Sequence, residues 1–259
     1  MDFDFKNFIK SLTGPDRKGP SYPELPRVSP TGESNIKGLY IKGDAAGNPL
    51  LKVGLNEGYD WVEHVREKLV RLNGEKATDY EIIIVGGGAT GFAAANRAHE
   101  LGISYLVLES ERFVNVIQNF TKGKPLFAEP DAMKLKGSIW FEECSKEELL
   151  EKWEEHRKKI NLNLREFEKV EDIKGSEGYF EVLTPKGKYT SRLVLLAIGK
   201  SGNPRKAGVP GEGEYPEKIY HFLADAAVYD GKNILIYGGG DVACEAALAL
   251  CDNNKVVMA

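Results

Sequence analysis

The chain has almost no cysteine. Its 259 residues include three, Cys144, Cys244 and Cys251, without a CxxC pair or a metal-ligand spacing. A disulfide scaffold and a zinc site are therefore unexpected, and a reducing compartment fits best. An excess of one charge is lacking too. The 35 Lys and Arg are interleaved with 39 Asp and Glu, so no basic stripe offers a nucleic-acid footprint. Runs such as Arg157-Lys158-Lys159 read as solvated helix face. No apolar run approaches the ~20 residues of a membrane span. The opening MDFDFKNFIK also lacks the basic-then-apolar order of a signal peptide. The expectation is a cytoplasmic protein with no metal, no nucleic acid and no membrane partner.

Against these absences stands the segment 81–110, EIIIVGGGATGFAAANRAHELGISYLVLES. Residues 82–85 suit a buried parallel strand. Gly86, Gly88 and Gly91 supply a tight turn, a close backbone approach to pyrophosphate and close helix packing. An Ala-rich helix over 92–101 would aim its free N–H groups at phosphate. A second strand over 105–108 ends in Glu109, a carboxylate able to accept from ribose hydroxyls. Glycines at this spacing also mark ordinary turns; strand, helix and acid in register point to a dinucleotide.

Around this unit, residues 1–30 are rich in Pro, Gly and charge and predict an irregular arm. Residues 38–41 read as a strand with Gly43-Asp44 as its exit. Residues 59–72 read as a helix with Val62, Val65 and Leu69 on one face, stopped at Asn73-Gly74. The connection 113–140 has the Gly/Pro content of a site-covering loop. Ser145-x-x-Glu148 is a capping box opening a helix to about Lys159, with Leu149, Leu150 and Trp153 buried. Alternating segments at 162–170, 179–183 and 189–190 predict an antiparallel meander leading into the buried strand 193–198. A Gly/Pro-rich crossing over 199–213 marks a domain boundary. Beyond it, strand 233–237 meets a second glycine turn, Gly238, Gly240 and Ala243, then a helix 244–250 and a strand starting at Lys255. Some fifty residues are short of a complete nucleotide domain, which needs ~100 or more, so this half is expected to be truncated.

Two glycine turns separated by a meander and an LLAIG strand resemble the two-dinucleotide-domain flavoproteins, the pyridine nucleotide-disulfide oxidoreductases typified by thioredoxin reductase. The resemblance implies FAD at the first turn and NAD(P)H at the second. It assigns Gly86, Gly88, Gly91 and Glu109 to FAD, and makes Ala197, Gly199 and the following Gly208-Val209-Pro210-Gly211 the exit from the FAD domain. The family's Gly-Asp segment, whose acid meets the ribityl and phosphate region, matches Gly43 and Asp44, yet comes first here instead of last. One FAD domain over 31–210 in permuted order (31–73, then 80–210) is expected, with 211–259 beginning the NAD(P)H domain. The alternative makes residues 30–72 the tail of a separate domain. The implied fold class is α/β, a doubly wound Rossmann-like FAD domain with a β-meander and an incomplete second Rossmann-like domain.

Where thioredoxin reductase carries its CxxC, alignment on Gly231-Lys232 puts His221 and Ala224, so no dithiol relay is available. The region looks more like bacillithiol-disulfide reductase-type proteins and flavin monooxygenases. The resemblance then implies an FAD-dependent NAD(P)H oxidoreductase passing electrons to an unidentified acceptor, small molecule or redox protein, as a homodimer or part of a larger complex. The alternatives are a non-catalytic FAD- or nucleotide-binding module of a larger redox complex and a low-molecular-weight disulfide reductase with cysteines beyond residue 259. Backbone N–H groups at Val53-Gly54-Leu55 would stabilise charge on the flavin pyrimidine, with Lys52 adding to this or simply packing. His221 could donate a proton or be ordinary hydrogen-bonded structure. Lys122 and Lys124 could meet phosphate or sit in a solvated loop.

Overall fold

The computed structural model describes residues 25–72, 76–200, 206–215 and 217–259. Most of the expected N-terminal arm, the helix stop at Asn73-Gly74 and part of the 199–213 crossing lie outside these residues. The strands are β1 (Leu39–Ile41), β2 (Tyr80–Val85), β3 (Tyr105–Leu108), β4 (Pro125–Leu126), β5 (Cys144–Ser145), β6 (Leu164–Arg165), β7 (Asp172–Ser176), β8 (Tyr179–Thr184), β9 (Gly187–Leu196), β10 (Asn233–Ile236) and β11 (Lys255–Met258). The α-helices are α1 (Leu51–Arg71), α2 (Ala89–Glu100), α3 (Asn115–Gln118), α4 (Lys146–Lys159) and α5 (Asp241–Leu250).

One seven-stranded sheet organises the described residues up to 200, six strands in the order β6-β3-β2-β9-β8-β7 with β1 also paired to β9. Its parallel half, β6-β3-β2-β9, is the doubly wound part. The outer edge of β9 is shared. Its first half pairs antiparallel with β8, and Val194 to Leu196 pair parallel with Leu39 to Ile41 of β1. A strand at the start of the described chain thus completes a sheet begun forty residues later.

The apolar run of β2 is buried on both faces, as a central parallel strand requires. Ile82 and Ile84 face Trp61, Val65 and Ala94 under α1 and α2. Ile83 and Val85 face Leu39, Ile41, Phe180 and Val182 on the meander side. A third cluster, Phe92, Phe113, Leu149 and Trp153, seats α4. Helix α4 starts as its sequence predicts, with Ser145 Oγ accepting from the Glu148 N–H at 3.2 Å.

Two expectations change. The helix placed at 59–72 begins at Leu51 and takes in two glycines. Gly54 and Gly58, one turn apart, lie against α2: a Cβ on Gly54 would come within 2.8 Å of Thr90 Oγ1, and one on Gly58 within 2.9 Å of the Ala94 nitrogen. Close helix contact outweighs a propensity cost of about 1 kcal/mol per glycine. Segment 162–170 is not a meander strand. Its β6 pairs parallel with β3, and the meander is β7, β8 and the first half of β9. Leu162 and Leu164 pack on the core beside β3, which draws the segment to that edge.

Candidate functional site

The three glycines of the first turn do different work. Gly86 sits at φ +107°, and its N–H donates to the Leu108 carbonyl at 2.8 Å. A Cβ there would run into the Ala197 carbonyl, and one on Gly91 into the Gly86 carbonyl oxygen. Gly88 differs: nothing lies within 4 Å of an added Cβ, so its open face is a cradle a side chain would fill. It is the N-cap of α2, which has no side-chain cap. Uncapped first-turn N–H groups and a positive dipole end suit an anion.

Beside Gly88 lies a cavity of about 840 Å³ whose wall includes Gly43, Asp44, Gly88, Ala197 and Gly199. Residues from the first turns of α1, α2 and α5 contribute to it, and none of these helices has a side-chain cap. Gly43, at φ +74°, would bring a Cβ within 2.5 Å of Thr90 Oγ1. Its N–H donates to Glu57 Oε2 at 2.8 Å, and Asn48 donates to Glu57 Oε1 at 2.7 Å. Asp44 Oδ1 stands 3.7 Å from Lys200 Nζ across the cavity mouth.

The opposite wall is the connection 125–130. Lys52 is 8% exposed and donates to the carbonyls of Ala128 (2.6 Å) and Pro130 (3.0 Å). One turn on, Asn56 bonds the backbone of Lys134 and Lys136, and another turn on, Asp60 pairs with Lys136. The i, i+4, i+8 spacing puts all three on one face. Lys52 therefore belongs to packing and holds this wall. Lys122 and Lys124 line the cavity and also tie it to the second unit, through Asp225 (3.2 Å) and Glu245 (2.6 Å). Thr121 Oγ1 and the Lys122 N–H add bonds to the carbonyls of Leu223 and Ala224. A loop with a solvated alternative is instead a seam.

Other expected residues lie off the cavity wall. Glu109 is buried at the end of β3, where Oε2 accepts from the Gly87 N–H at 2.6 Å and Oε1 from the Glu111 N–H at 2.9 Å. Val53 gives way to Leu51 and Gly54. His221 is exposed, with Nε2 3.7 Å from Glu212 Oε1. At the second turn, Gly238 has φ +128° and Gly240 is the N-cap of α5, its carbonyl accepting from the Ala243 N–H at 2.9 Å. Nothing lies within 4 Å of an added Cβ at Gly238, Gly239 or Gly240. Cys244, at the start of the helix expected over 244–250, is exposed, because α5 buries only Leu250. Cys144 is buried; burial, with Glu148 and Glu142, pushes its thiol up from its ordinary value.

Thr90 and Lys200 line the cavity without being singled out from sequence, whereas Gly54, expected there together with Val53 and Leu55, does line it. Gly58, off the cavity, sets the approach of α1 to α2 and carried a signal only as half of a small-residue pair at helical spacing. Among the described residues no group of three or more His, Cys, Asp or Glu could hold a metal. No described helix is long and apolar enough to cross a membrane.

A family model described as pyridine nucleotide-disulphide oxidoreductase matches residues 83–259. The chain is 30% identical over 181 residues to a thioredoxin reductase of Treponema pallidum (strain Nichols), covering 67% of this chain and 52% of that protein. It is also 30% identical over 179 residues to a bacilliredoxin reductase of Bacillus subtilis (strain 168), covering 68% and 54%. Among solved structures, a bacillithiol disulfide reductase from Staphylococcus aureus matches with a TM-score of 0.60 and 27% identity, covering 69% of this chain and 56% of that one. The chain spans about half the length of the curated relatives it matches. By the family match over residues 83–259, it belongs to the pyridine nucleotide-disulphide oxidoreductases.

Proposed function

We propose that the chain carries the FAD site, and the first part of the NAD(P)H site, of an FAD-dependent oxidoreductase that passes electrons from nicotinamide to an acceptor without a dithiol of its own. The observation that carries this reading is the place of β1. Paired parallel to β9, it sets Gly43 and Asp44 on the same cavity wall as Gly88. The family match starts at residue 83, yet this earlier segment completes the same sheet. This supports one FAD domain over 31–210 in permuted order.

When bound, the flavin supplies two-electron chemistry at its N5. The chain's own residues bind and orient. Gly88 and the first turn of α2 offer N–H donors to the pyrophosphate. Glu109 keeps lone pairs for ribose hydroxyls, and Asp44 faces the cavity from the Gly43 turn. The uncapped first turn of α1 supplies a positive dipole end at Leu51 to Gly54, which would stabilise negative charge on the ring. Gly238, Gly240 and Ala243 would take the nicotinamide dinucleotide on the open turn of α5. The names of the relatives, a bacilliredoxin reductase and a ferredoxin–NADP reductase, direct the search for the acceptor to thiol-disulfide and ferredoxin partners.

A purified, full-length sample tests this. After incubation with FAD and desalting it should stay yellow and bleach anaerobically on adding NADH or NADPH; protein that is colourless after desalting sinks the proposal.

A further inference from the structure

Among the described residues three non-glycine positions have positive φ: Val114 (48°), Asn161 (47°) and Phe167 (55°). Asn tolerates this region, whereas a β-branched or aromatic residue does not adopt it without cost. Both costly ones flank the first glycine turn. The Val114 N–H donates to the Gly87 carbonyl at 3.0 Å, and the Phe167 N–H to the Glu111 carbonyl at 2.9 Å. On either side of Phe167 the backbone locks onto Glu109: Glu109 N–H to Arg165 carbonyl at 2.9 Å, Glu168 N–H to Glu109 carbonyl at 2.8 Å.

The neighbours of Phe167 are tied down as well. Glu166 accepts from the Phe113 N–H at 2.7 Å and from Arg157 at 3.1 Å. Glu168 is buried and accepts from the hydroxyls of Tyr189 (2.6 Å) and Thr184 (2.9 Å). Phe167 itself is 60% exposed and belongs to none of the three hydrophobic clusters. A strained backbone that its surroundings over-determine, holding an aromatic ring out in water beside the ribose acid, needs a reason other than core packing.

We infer that Phe167 is the stacking platform for the adenine of the dinucleotide, next to Glu109 as ribose acceptor. This rests on the FAD reading above. Pyrophosphate, ribose and adenine follow one another in the dinucleotide, so a ribose held at Glu109 would bring the adenine to the 165–168 turn, whose backbone is bonded to that of Glu109. Every base has a π face for an aromatic ring to cover, so the platform adds affinity for the nucleotide end of the ligand without choosing among bases.

The test is titration of the full chain with FAD and, separately, with ADP. Phe167→Asn removes the ring and keeps a residue at ease in left-handed backbone, so thermal stability should hold or rise. The Kd for FAD should rise about 5- to 150-fold, and the Kd for ADP in parallel. Phe167→Trp should restore both. An FAD affinity left unchanged by Phe167→Asn overturns the platform while the flavin reading stands. If wild-type protein takes up no FAD, the flavin reading fails. ADP then decides the platform alone: binding weakened by Phe167→Asn upholds it, and absent or unaltered binding overturns it.

Discussion

The two glycine turns share a local pattern and differ in everything around it. At the first, β2 lies between β3 and β9, α2 buries eight residues, and added Cβ atoms at Gly86 and Gly91 meet backbone. At the second, among the described residues, β10 pairs only with β11, α5 buries only Leu250, and added Cβ atoms at Gly238, Gly239 and Gly240 meet nothing within 4 Å. The two N-cap glycines, Gly88 and Gly240, are alike in facing open space; Gly86 has backbone against it where Gly238 has none, and the place of Gly91 is taken by Ala243. A glycine motif states what the backbone is allowed to do; its neighbours decide whether it must.

The largest test of this contrast is Gly91→Ala. It should lower unfolding free energy by about 3 kcal/mol or more, since the intruding methyl meets a carbonyl that cannot rotate away. A Tm close to wild type would break the comparison. Next comes Gly58→Ala, which pushes α1 off α2 and should cost about 1 to 3 kcal/mol by chemical denaturation.

Acid should separate the two units. Burial, reinforced by Lys159, holds His156 below its ordinary 6.5, and its Nε2 lies 2.7 Å from Asn96 Oδ1 on α2. A depressed His pKa gives stability that is present above 6.5 and lost as pH falls through and below it. Protection factors of the α2 amides, which correct for the intrinsic slowing of exchange in acid, should therefore fall between pH 7 and pH 5, and His156→Gln should flatten that dependence. An equal fall in α5 would argue against a local origin.

The smallest effect is expected at Gly240→Ala, within about 0.5 kcal/mol of wild type, as for a substitution into open space at ordinary φ. A loss on the scale of Gly91→Ala would show that the second turn is packed in solution. In the same spirit, exposed Cys244 and Cys251 should alkylate readily in native protein and buried Cys144 only after unfolding.

Much of this was legible in the sequence. The strand-turn-helix-strand unit around Gly86, the capped helix at Ser145 and the buried strand before Ala197 stand where period and punctuation put them. Two segments misled for physical reasons. Residues 51–58 carry two glycines and no capping side chain, so the start of α1 has no local signature and depends on α2. Residues 162–170 alternate like a hairpin strand, but a strand's partner is chosen by what its apolar side chains can bury, and Leu162 and Leu164 found the core beside β3. Within the candidate site, Gly43, Asp44, Gly88, Ala197 and Gly199 were named and share one wall, while Thr90, Lys200 and the work of Lys52 depend on contacts between distant segments.

The sequence by itself determined the first turn: which glycine bends, which packs and which stays open follows from the order of Gly86, Gly88 and Gly91 between a buried strand and a helix. Local rules suffice there because each role is set by residues a few positions apart. Only tertiary structure decided that Gly43 and Asp44 share that turn's cavity, that Lys52 serves its wall and that Phe167 stands strained beside Glu109. Those outcomes rest on pairings across tens of residues, such as β1 with β9 and β6 with β3, whose register is fixed by the shared burial of both strands.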